Sequence, residues 1–112
     1  GDNSIVCLMY VDRIIVHANR SISISGWAAS ESSLSHIALR VGDDYLGDLN
    51  FIMRRPDVVE NHTVFNEVLC GFDSLLPCDQ NAIEPGQLLR FDLFDDETKI
   101  ASFSLEIENR AL

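Results

Sequence analysis

A chain of 112 residues has the length of one domain and can bury a single core without disulfide or metal staples. Its 46% hydrophobic content excludes wholesale disorder, and a formal charge of −10, with Lys99 as the only lysine, argues against nucleic acid and anionic lipid as partners. The longest apolar runs fall well short of the ~18 residues that a membrane-spanning helix needs.

Taken in order, residues 1–4 read as a linking segment, because the chain starts at Gly1 without a methionine and looks like a piece of a larger protein. Residues 5–11 are almost all apolar and 14–16 are apolar again, which reads as one or two strands bent at Asp12-Arg13. A turn over 17–20 leads to the clearest alternation in the chain, Ser21-Ile22-Ser23-Ile24-Ser25. Here Ile22 and Ile24 share one face and the serines the other. Gly26 interrupts this strand just before Trp27, the only tryptophan, and signals a bulge or a close backbone approach.

After a small polar loop over 30–35, Ile37, Leu39 and Val41 alternate with Ala38 and Arg40. Gly42-Asp43-Asp44 is a hairpin turn, and 45–51 is the returning strand. The β pattern breaks at Arg54-Arg55-Pro56-Asp57, where Asp57 and Glu60 fit a capping box and predict a single helical turn over 57–60. Residues 61–66 form an irregular crossover, 68–76 a strand around Gly71-Phe72, and 77–86 a loop closed by Pro85-Gly86. In the last hairpin Leu89, Phe91 and Leu93 oppose Arg90 and Asp92. Ala101, Phe103, Leu105 and Ile107 alternate with polar residues, and 95–98 connects the two strands. About seven short strands with almost no helix describe one antiparallel β-sandwich over 1–112.

Four segments in this order carry a family resemblance: Ile24-Ser25-Gly26-Trp27-Ala28, the hairpin Leu39-Arg40-Val41-Gly42-Asp43, Arg55-Pro56-Asp57-Val58 and Gly71-Phe72. The pattern resembles that of small immunoglobulin-like β-sandwich domains that accompany large bacterial glycosyltransferases and polysaccharide-assembly proteins. It spans roughly residues 5–107, and the order and spacing of the motifs carry it. The resemblance implies an all-β, immunoglobulin-like or fibronectin-like sandwich of about seven strands. It implies a module that accompanies catalysis without performing it, partnered by sister domains or other subunits. The expected location is the bacterial cytoplasm, with membrane or envelope association only through the parent protein. Gly26, Trp27, Arg55, Pro56, Asp57, Gly71 and Phe72 are then structural motif residues. Pro56 fixes φ, Asp57 caps a helical turn and Arg55 pairs with a carboxylate or caps carbonyls.

No residue pattern makes a catalytic constellation. There is no G-x-S-x-G elbow, and His17, His36 and His62 lack metal-ligand spacing, so no enzyme, cofactor or metal is expected. Carboxylates gather at Asp43-Asp44-Asp48 and at Asp92-Asp95-Asp96-Glu97, a composition that suits calcium but lacks its loop pattern and is equally that of hairpin turns. Cys7, Cys70 and Cys78 have no CxxC spacing and read as buried free thiols in a reducing compartment, with a Cys70–Cys78 bridge left open. Asn19 and Asn61 begin N-glycosylation triplets, which would matter only in a secreted chain. Trp27 is expected in the core. The competing reading is a carbohydrate-binding face on which Trp27, Tyr10 and Tyr45 stack on sugar rings. Edge strands offer a route to a homodimer.

Overall fold

The computed structural model describes residues 5–18, 20–78, 84 and 86–107. The elements are β1 (Cys7–His17), β2 (Ser21–Ser30), β3 (His36–Val41), β4 (Asp44–Leu49), β5 (Met53–Arg54), α1 (Pro56–Asn61), β6 (Leu69–Pro77), β7 (Leu88–Asp95) and β8 (Thr98–Glu106). They form two antiparallel four-stranded sheets, with orders β1-β2-β6-β5 and β4-β3-β7-β8. The result is a β-sandwich-like, nearly all-β architecture of eight strands among the described residues. The additional strand is β5, only two residues long, paired to β6 through Met53 opposite Gly71 and Arg54 opposite Leu69. A two-residue strand is too short to show alternation, which is why it reads as a break in sequence.

The inner faces of the two sheets meet in one core. Ile22, Ile24 and Phe72 from the first sheet pack with Ile37, Leu39, Leu49, Leu89, Phe91 and Leu93 from the second, all 0–1% exposed. Each such side chain contributes about 1.5–3 kcal/mol by leaving water. The alternation in β2, β3 and β7 supplies these residues, and only one phase of pairing buries them all.

Residues 7–17 form one strand, not two. Asp12 is an additional residue, a bulge set against Ser25 and Gly26 of β2. The irregularity signalled by Gly26 thus lies in the partner strand, and Gly26 is the place of close approach. A Cβ there would overlap the Tyr10 carbonyl oxygen and stand 3.0 Å from the Val11 Cα. The β3–β4 connection is a tight hairpin with Gly42 at φ +58°, and the β7–β8 hairpin turns with Asp96 at φ +52°. Both conformations suit the Gly and Asp that sequence places there.

Helix α1 starts one residue earlier than expected and Asp57 does not cap it. Arg55 is the N-cap residue, its side chain making no capping hydrogen bond to the helix, and Pro56 occupies the first turn, where its missing N–H is no loss. The Asp57 carboxylate is taken by the Arg55 guanidinium instead. Of the 77–86 loop, residues 79–83 and 85 lie outside the described residues, as do 1–4 and Asn19.

Candidate functional site

The motif segments other than the β3–β4 hairpin, far apart in sequence, meet at one corner of the β1-β2-β6-β5 sheet. Gly26 lies opposite Phe72 and Trp27 opposite Gly71 across the β2–β6 pair. Gly71 has no room for a side chain, because a Cβ would stand 2.9 Å from both the Arg55 Cγ and the Met53 Cβ. Arg55 therefore lies over Gly71 and forks onto Asp57, with Nε–Oδ1 at 3.1 Å and Nη2–Oδ2 at 3.0 Å. Its Nη1 donates to Asp12 Oδ2 at 3.1 Å. One guanidinium thus ties the β1 bulge to the start of α1 across the sheet, a fork geometry that lysine cannot reproduce. Asp12 is the member that sequence reasoning missed. Its only local signal is a charge interrupting an apolar run.

The Arg55 hydrogen bond holds the Asp57 carboxyl below its usual 3.8, and the two carboxylates raise the Arg55 guanidinium further above its already high value. A carboxylate held below its unfolded-state value stabilises the fold above that value, and the contribution fades as pH falls through the lower, folded-state value. Acid titration of stability below about pH 4 is therefore expected to be shallower in Asp57→Asn than in the wild type, as read by urea unfolding at stepped pH. Equal slopes would mean that the Arg55–Asp57 pair does not form in solution.

Trp27 is not in the main core. The β2 pattern continues unbroken past Gly26, so Trp27 shares the face of Ser23 and Ser25, opposite Ile22 and Ile24. It is half-buried beside a second small cluster of Ala29, Val58, Phe65 and Cys70. The His62 ring packs on it at 5.6 Å between centroids. Tyr10 lies directly across β1–β2 from Trp27 and is 59% exposed. Tyr45 is on β4, in the other sheet, where its hydroxyl donates to Asp48 at 2.8 Å and Arg40 sits 5.7 Å from its ring centroid. Of the three aromatics proposed as a sugar platform, the fold brings together two.

The outer face of the second sheet holds a cluster that sequence did not signal. Asp92, only 2% exposed, accepts a hydrogen bond from the Ser102 hydroxyl at 2.7 Å and faces the Nε of Arg40 at 3.5 Å and of Arg90 at 3.3 Å. Arg40 and Arg90 are directly opposed across β3–β7, so a single buried carboxylate separates two like charges. Asp92 accordingly is not part of a solvated acidic turn with Asp95 and Asp96. No group of three or more His, Cys, Asp or Glu among the described residues is arranged to hold a metal ion. His17 bonds Ser23 at 2.7 Å, His36 stacks on Phe94 and His62 packs on Trp27, three separate places. No disulfide joins Cys7, Cys70 or Cys78, and burial pushes the Cys70 thiol up, away from a reactive thiolate.

A cleft of about 150 Å³ opens at the end of the sandwich between Ser30, Ser32, Phe51, Phe65, Glu67 and Cys70. Sites for drug-sized ligands occupy about 300–1,000 Å³, so this cleft is smaller than an ordinary small-molecule site. No helix among the described residues is long and apolar enough to cross a membrane. Comparison with known protein families, with curated proteins and with solved structures finds no match.

Proposed function

We propose that this chain is a non-catalytic accessory or interaction module of immunoglobulin-like topology, belonging to a larger bacterial glycosyltransferase or polysaccharide-assembly protein. The observation that carries this reading is the convergence of Gly26, Trp27, Arg55, Asp57, Gly71 and Phe72 on one corner, where they engage one another. Residues spent on holding α1 to a sheet are a scaffold's residues and leave nothing open for chemistry. The strand order supports the topology: β1-β2-β6-β5 over β4-β3-β7-β8 corresponds to the A-B-E-D and C′-C-F-G sheets of immunoglobulin-type sandwiches. Free buried thiols suit a reducing compartment such as the bacterial cytoplasm. Partners on this reading are sister domains or other subunits, met through sheet edges and the 54–66 crossover.

A second reading is favoured by the Tyr10–Trp27 pair, a carbohydrate-binding face with one exposed and one half-buried ring side by side. The single tryptophan decides between the two. Titration of the protein with a panel of bacterial polysaccharides, followed by Trp27 emission and acrylamide quenching, is expected to leave both unchanged. A saturable shift with protection from quenching would overturn the accessory-module reading in favour of the sugar-binding one.

A further inference from the structure

We infer that β1 is a homotypic interface, pairing antiparallel with β1 of a second copy in the register that sets Asp12 of each copy against Arg13 of the other. The strand is an outer edge of its sheet and eleven residues long, about 37 Å of backbone with one side unpaired among the described residues. Long edges are normally protected by lysine, proline, brevity, charge or a bulge. β1 has no lysine or proline, is not short, and confines its bulge and its charges to one place, Asp12-Arg13. It and its approach instead expose Ile5, Val6, Leu8, Tyr10 and Val16 at 38–59%.

The bulge selects the register. Because Asp12 is additional, the alternation changes phase there: Cys7, Met9 and Val11 pack on the core before it and Ile14 after it. Val16, opposite Ile22, shares the Ile14 face in register while remaining exposed. Two copies engage the whole strand with like faces opposed only when the first half of one meets the second half of the other, with the two-fold axis near the bulge. One such alignment opposes Val11 to Ile14, Tyr10 to Ile15 and Met9 to Val16, and sets the two Asp12–Arg13 pairs at the axis. Arg13 is exposed and makes no ion pair among the described residues, whereas Asp12 uses one oxygen for Arg55. A second copy supplies the missing partner, in a chain whose net charge of −10 opposes association that lacks such a specific pairing.

The inference goes beyond the accessory-module reading and survives or fails apart from it, since no glycan or sister domain enters the test. Sedimentation of the full chain over a concentration series is expected to show a monomer–dimer equilibrium. Arg13→Glu, an exposed substitution that opposes acid to acid twice, is expected to weaken the dimer by about ten- to a hundredfold. The doubly substituted Tyr10→Cys/Ile15→Cys is expected to give an oxidised, covalent dimer, while Tyr10→Cys alone gives none. Those two positions lie about 17 Å apart along one strand, too far for a bridge within a chain. A wild type that stays monomeric throughout overturns the interface. A dimer indifferent to Arg13→Glu, or one that Tyr10→Cys alone cross-links, overturns the register.

Discussion

Replacing Gly26 by alanine is expected to destabilise the domain by about 3 kcal/mol, a large share of the 5–15 kcal/mol that holds a typical domain together. The added methyl would overlap the Tyr10 carbonyl oxygen and stand 3.0 Å from the Val11 Cα and 3.1 Å from the Phe72 Cζ. The first two are backbone atoms of β1 beside the bulge. Relief of the backbone overlap requires the β1–β2 pairing to part, and Phe72, fully buried, must give way as well. Gly42→Ala supplies the comparison. Gly42 has φ +58° but nothing within 4 Å of its Cβ position, so only the left-handed backbone resists, at about 1 kcal/mol. Urea unfolding of both variants measures the difference. A Gly26→Ala loss no larger than that of Gly42→Ala would mean that β1 and β2 do not approach so closely.

The second large effect is expected at Asp92. Asp92→Ala removes the carboxylate that sits between Arg40 and Arg90 and is expected to cost about 3 kcal/mol. The Nε atoms of both arginines are buried and make no well-aligned hydrogen bond, so their attraction to Asp92 is chiefly ionic. Without it, two guanidinium groups face each other across β3–β7, and the Ser102 hydroxyl loses its acceptor. Removing the arginines together with the acid tests this cause. The triple variant Asp92→Leu, Arg40→Met, Arg90→Leu is expected to lose markedly less than Asp92→Ala, because no uncompensated charge remains. Additive losses would show that packing around Asp92, and not charge, sets the cost.

Much of the sandwich was legible in the sequence, because alternation is a local property. The runs around Ile22, Ile37, Leu89 and Ala101 each state a strand and its apolar face without reference to any other. The same holds for the turns at Gly42 and Asp96, where residue type and positive φ agree. Pairing is different. Gly26 announced an irregularity, but β2 alone cannot say which strand holds the additional residue. Placing it in β1 keeps the β2 phase intact and puts Trp27 opposite Ile22 and Ile24, outside the main core.

The capping pattern at Asp57 and Glu60 was outcompeted in the same way. A local hydrogen bond to a helix N–H lost to the Arg55 fork, which gains a third bond from Asp12, 43 residues away in sequence. Asp92 offered no local sign of burial, since an outward position on a strand normally meets water. Its cover comes from Arg40 on β3 and Ser102 on β8. By itself the sequence determined most of the strands and their inward faces, set by steric preferences and hydrophobic period within a few residues. Only the tertiary structure decided which side of the sheet Trp27 occupies, what Arg55 holds and where a carboxylate is buried. Those outcomes depend on which strands become neighbours, and no single stretch of chain encodes its neighbour.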